Sequence, residues 1–178
     1  MTYGVLLSSV TVGAGGASSI DFTSIPGTYT DLVIVASTRA VGNYDFSQIR
    51  FNSSSSAVYS YRYIRGTGSS AVSSSASTQT ELAYFDQVPS GATANTFSNN
   101  ILYIPNYAGS TNKTVSWESM NENNATAAES KMSAGLWANT SAITSISIAP
   151  YGALTTYAQY TSIYLYGLLK GSGGATAA

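Results

Sequence analysis

Histidine and cysteine are both absent from the 178-residue chain. That removes thiol nucleophiles, disulfides, imidazole acid–base chemistry and every His- or Cys-ligated metal site together. Charge is scarce as well. Seven basic and eight acidic residues leave a net charge of -1, and 8% of positions are charged, against roughly 25% in ordinary soluble domains. No basic run occurs, so the phosphate-neutralising footprint of a nucleic-acid binder is missing. No apolar run approaches the ~20 residues of a membrane-spanning helix, and no membrane contact is expected. The opening MTYGVLLSSVTVGAGG has neither a basic stretch nor a continuous apolar segment, so it does not read as a signal peptide.

Ser, Thr, Asn, Gly and 14 Tyr stand where the charges would be. A neutral hydroxyl-and-amide surface loses little on desolvation. With a net charge near zero, self-repulsion does not keep copies apart. Both points favour a subunit packed beside others over a free monomer.

Residues 22–39, FTSIPGTYTDLVIVASTR, hold the longest strand signal. Pro26-Gly27 suits a type II turn with positive φ at the glycine. In the strand that follows, Leu32, Ile34 and Ala36 alternate with Val33 and Val35, so both faces are apolar and a central position is expected. Further strand patterns cover residues 3–12, 18–22, 46–52, 58–65, 81–88, 97–104, 113–120, 131–138, 144–148 and 162–169. The Gly/Ala/Ser/Thr tract at 66–80 reads as a long loop or a poorly paired edge ribbon. Ile101 and Tyr103, with Leu102 and Ile104, suggest a second strand buried on both sides. Met132, Ala134 and Leu136 lie opposite Trp137. Residues 121–130 have room for one helical turn.

Ten or eleven strands without a helical period predict an all-β fold: a single antiparallel two-sheet β-sandwich, jelly-roll-like, with an immunoglobulin-like sandwich as the runner-up. Residues 1–17 form an N-terminal strand or arm, 18–170 the sandwich, and 171–178 a flexible tail.

A search for chemistry returns little. Glu118 and Glu122 are close, but their strand ends between them, so no fixed carboxylate pair follows. Ser110 and Lys113 have Ser-x-x-Lys spacing without the companion motifs of that chemistry. No nucleophile elbow, phosphate loop or calcium loop occurs. Four Asn-x-Ser/Thr matches, at Asn52, Asn112, Asn124 and Asn139, are expected by chance in such a composition. The chain is therefore expected to be no enzyme and to need no cofactor.

The tyrosines are the better signal. Tyr59, Tyr61 and Tyr63 alternate as a ladder beside Arg62 and Arg65. A sugar-stacking or protein-docking face is weighed against a sheet face packed in the core, and the core reading is favoured. Trp117 and Trp137 are read as core. Candidate interface residues are Tyr3, Val5 and Leu7 at the N-terminus, Tyr59, Tyr61 and Tyr63 in the ladder, and Tyr157 and Tyr160 near the C-terminus.

FTSIPGTYTDLVI, IRFN at 49–52, TSAITSISI at 140–148 and SIYLYGLLKG at 162–171 together resemble small virion structural proteins of tailed bacteriophages. The resemblance spans residues 18–171, and its motifs are structural. It implies a β-sandwich subunit, often trimeric, that decorates a capsid or builds a tail appendage. The expectation is a capsid decoration (cement) protein on the outer surface of the virion, with the major capsid protein and its own copies as partners. The alternative is a tail-associated module that binds host glycans.

Overall fold

The structure, a computed structural model, describes residues 4–124, 128–152 and 154–169. Twelve strands and no helix occur among them: β1 (Val5–Thr11), β2 (Ile20–Phe22), β3 (Asp31–Thr38), β4 (Phe46–Phe51), β5 (Tyr59–Gly66), β6 (Ala71–Gln79), β7 (Leu82–Asp86), β8 (Ser98–Ile104), β9 (Lys113–Asn121), β10 (Glu129–Trp137), β11 (Ile146–Pro150) and β12 (Ser162–Leu168). Eight form one sheet in the order β1-β12-β3-β8-β9-β10-β5-β6. Four form a second, β2-β11-β4-β7. Every pairing of named strands is antiparallel, so the chain is an antiparallel two-sheet β-sandwich.

Period-two alternation explains why these segments pair as they do. In β4, Ser47, Ile49 and Phe51 are buried, while Phe46, Gln48 and Arg50 turn outward. In β9, Lys113, Val115, Trp117, Ser119 and Asn121 are buried and the four residues between them are exposed. The inward sets of both sheets meet in one core built on Trp117, Trp137, Phe51, Phe85, Leu32, Ile34 and Ile148. Truncating such an aromatic to Ala costs about 3–5 kcal/mol, because both the transfer energy and packing contacts are lost. β3 is central, between β12 and β8. Leu32, Val33, Ile34 and Ala36 are buried, and Val35 is half-buried.

Several expectations change. The turn before β3 does not use a positive φ at Gly27; the left-handed residue there is Ser24, with φ 55°. Pro26 is instead fixed through its carbonyl, which accepts a hydrogen bond from the Tyr107 hydroxyl. The tract at 66–80 contains a nine-residue edge strand, β6, paired to β5 with Arg62 opposite Ser75 and Ile64 opposite Ser73. Backbone pairing, not side-chain burial, holds it: seven of its residues are exposed. At the end expected to hold a helical turn, β9 and β10 pair, with Glu129 opposite Asn121; residues 125–127 lie outside the described residues. β8 is buried on one face only, since Ile101 and Tyr103 are exposed. At the N-terminus β1 pairs with β12 along its length, and Leu7 and Val10 pack on the core. The tail expected at 171–178 lies outside the described residues.

Candidate functional site

β7 fixes the inner end of the site. Tyr84 has φ 67°, and the β4–β7 register shifts between Ser47 and Ile49. This bulge turns Leu82, Ala83, Phe85 and Asp86 all inward. The Tyr84 carbonyl accepts a hydrogen bond from Trp117 Nε1 at 3.0 Å, which ties the two sheets together.

Asp86 then faces β10. Its Oδ1 accepts from Lys131 Nζ at 2.7 Å, with both side chains almost fully buried. Lys131 also donates to Glu129, and Glu129 Oε2 accepts from Arg65 Nη1 at 3.1 Å on the outer side. Two cations and two acids thus close a neutral group. The Asp86 carbonyl accepts from Thr38 Oγ1, Ser98 Oγ and Asn100 Nδ2 at 2.7–3.0 Å. Burial pushes the Asp86 carboxyl up to about 7, because Lys131 offsets only part of the desolvation. Its Oδ2 accepts no hydrogen bond from the described residues, so a proton there displaces no donor. For Lys131, burial acts to lower the pKa, but Asp86 and Glu129 outweigh it and the net shift is upward. The group is buried between the two sheets, and among the described residues no cluster of three His, Cys, Asp or Glu could hold a metal.

Over this group lies an aromatic ridge. Tyr84 packs against Tyr63 and Phe46 with ring centroids 4.7 Å apart, and against Tyr61 at 5.7 Å. Phe46 stacks on Tyr151 at 4.6 Å, and Tyr44 meets Tyr151 edge-on at 4.9 Å. Lys131 Nζ sits 5.4 Å from the Tyr84 ring centroid. Burial raises the Tyr84 hydroxyl, and it pushes Tyr61 up to about 12. Tyr44 and Tyr151 are exposed.

The opposite, outer face of the large sheet is the second surface. Register sets its rows. Ile101, Glu118, Met132, Ile64 and Ser73 stand side by side across five strands; Tyr103, Ser116, Ala134, Arg62 and Ser75 form the next row. Met132 is 59% exposed, Ile64 58% and Met120 46%. Four shallow depressions share this face. The largest, about 680 Å³, lies between Arg62, Ile64, Ser73, Ser116, Met132 and Ala134.

The expected interface residues scatter. Val5 is exposed and Leu7 half-buried on the core; Tyr3 lies outside the described residues. Tyr59 is 1% exposed, and its hydroxyl accepts from the Phe51 amide at 3.0 Å. Tyr61 and Tyr63 share the Tyr59 side and enter the ridge. Tyr157 is fully buried and donates to Ser47 Oγ at 2.7 Å, with burial raising its pKa. Tyr59 and Tyr157 therefore offer no contact area, a correction that follows from both sheets closing over them. Tyr160 is 67% exposed. Lys113, spaced from Ser110 as in a Ser-x-x-Lys motif, is buried; desolvation lowers its pKa, and its Nζ donates to the carbonyls of Gly109, Thr111 and Thr140. Asn52 caps a turn, its Oδ1 accepting from the Thr144 and Ser145 amides.

Sequence reasoning missed Met132, Ile64 and Met120. The signal was parity. Lys131 and Ser133 share the side of Trp137, so a tryptophan read as core already places Met132 and Ala134 outside. The chain matches no family model, no curated protein and no solved structure.

Proposed function

We propose that this chain is a non-enzymatic structural protein of a bacteriophage virion, most specifically a capsid decoration protein. The observation that carries the docking role is the outer face of the large sheet. Between Asp31 at one rim and Glu122 at another, its only charged residues among the described ones are Arg62 and Glu118. Contiguous exposed apolar area of this kind marks protein contact. The phage assignment rests on the sequence resemblance. The edge strand β1 adds exposed Val5 and Leu6 and carries no charge; uncharged, unblocked edges invite strand pairing with a neighbour. A subunit that binds the assembled shell and not its parts stabilises the shell by mass action, against the pressure of packaged DNA.

The test is the particle. Virions without this protein should lose DNA at lower temperature, and hundreds of copies per virion should lie on the capsid surface in a low-resolution image. Equal DNA retention sinks the cement role. A handful of copies at the tail favours the second reading, a glycan-recognising tail module. That reading has its own observation: the ridge from Tyr44 through Tyr151, Phe46 and Tyr84 to Tyr63 offers ring faces and edges to a sugar. Binding to host polysaccharide that Tyr44→Ala with Tyr151→Ala abolishes would establish it.

A further inference from the structure

We propose that the outer face of the large sheet is a two-fold contact between copies of this chain, in which Arg62 of each copy pairs with Glu118 of the other. The inference rests on the reading of this face as a docking surface and names its occupant.

Three observations carry it. Arg62 and Glu118 are one cation and one anion, both exposed, and neither forms an ion pair among the described residues. The other charged groups of β5, β9 and β10 turn inward and are engaged: Arg65 with Glu129, Lys131 with Asp86 and Glu129, and Lys113 with carbonyls. The residues between them are apolar. Met132 and Ala134 of β10 separate Glu118 on β9 from Arg62 on β5, with Ile64 alongside.

Symmetry then follows from register. Arg62 and Glu118 lie two strands apart across the sheet and one outward residue apart along it. A two-fold axis lying against the face can exchange them only if it bisects the line joining them. It then passes over Met132 and Ala134. With strands about 4.8 Å apart and outward residues about 6.8 Å apart, the strands of the two copies cross at about 70°. This lies near the orthogonal class of sheet packing, which suits twisted, saddle-shaped faces. Each contact is made twice, as an isologous interface requires. The depressions beside Ile64 and Met132 receive the same side chains of the second copy.

The contact also answers an energetic question. An isolated exposed ion pair adds little to an association, so charge alone does not hold the dimer. Burial of Met132, Ile64, Met120 and Ile101 supplies the attraction, and the two ion pairs fix the register and reject other faces.

Charge reversal tests this with the full chain, by sedimentation velocity from micromolar to near-millimolar concentration. The native 18.5 kDa chain should form dimers or other even-numbered assemblies. Arg62→Glu and Glu118→Arg should each raise the dissociation constant about tenfold or more, since like charges then face each other twice. An equal mixture of the two variants should re-associate as a heterodimer, because one chain carries two acids on the face and the other two bases. The double variant, with the pair reversed, should also recover. A monomeric native chain overturns the proposal. So does an odd-numbered assembly that both reversals leave intact, or a mixture that stays monomeric. If a monomeric native chain binds shells or polysaccharide and the single variants lose that binding, the face belongs to that partner instead. Shell binding measured in parallel separates the two conclusions. A charge-sensitive dimer that ignores the shell keeps this contact and removes the decoration role; decoration by a monomer does the reverse.

Discussion

The two faces of β10 make an instructive pair. The inner face carries Glu129, Lys131, Ser133 and Gly135 before Trp137; the outer carries Met132, Ala134 and Leu136. By polarity alone the strand would sit the other way round. Two things hold it. Trp137 belongs beside Phe51, 5.7 Å away between ring centroids, and its burial outweighs the exposure of one methionine. Asp86, turned inward by the β7 bulge, gives Lys131 a partner that water no longer supplies. A buried charge is tolerable when it is paired and hydrogen-bonded, and costly otherwise. The comparison teaches that the covering sheet, not the local pattern, decides which side of a strand is core.

The sharpest way to break that pairing is Lys131→Ala. It strands Asp86 and leaves Glu129 with Arg65 alone, and should cost about 3–5 kcal/mol, measured by denaturant unfolding. Next comes Gly135→Val. A Cβ there would stand 2.8 Å from Leu82 Cδ2 and 2.9 Å from Trp117 Cζ3, so overpacking should cost about 1–3 kcal/mol, read as a lower thermal midpoint with near-UV signals altered around the tryptophans.

Asp86→Asn tests the acid itself. The folded carboxyl lies at about 7 against an ordinary 3.8, so between those values the folded state holds the proton more tightly than the unfolded one. This group's contribution to stability is therefore fully present below pH 3.8 and is lost as pH rises toward 7. Thermal midpoints from pH 4 to 8 should show that decline in the native chain and a shallower one in the variant. Equal slopes would mean that Lys131 keeps Asp86 ionised throughout. The smallest effect is expected on the other face. Met132→Lys should change unfolding free energy by less than about 0.5 kcal/mol while abolishing self-association in the sedimentation experiment.

The fold was largely legible. Eleven of the strands lie where alternation and turn residues put them, because a half-buried strand writes its period into the sequence. β6 was half legible. Its Ser/Ala composition carries no burial signal, yet backbone hydrogen bonds to β5 need none. The candidate surfaces were harder. Tyr61 and Tyr63 were visible as a ladder, but their partner Tyr84 comes from β7, about twenty residues later in the chain. Tyr157 looked like surface in a connecting loop. It is core because Ala17, beyond the end of β1, and Ala40, beyond the end of β3, both bridge to it, a closure no local window contains.

By itself the sequence determined composition, strand periodicity and the poverty of catalytic groups, since each is a property of the residues in order. It also determined that Lys131 and Trp137 share one side of a strand. Only the tertiary structure decided which side that was. Burial depends on where a second sheet ends, and the bulge at Tyr84, which brings Asp86 under Lys131, sets that limit. The opposite parity leaves Ile64, Met120 and Met132 exposed on the outer face of the large sheet.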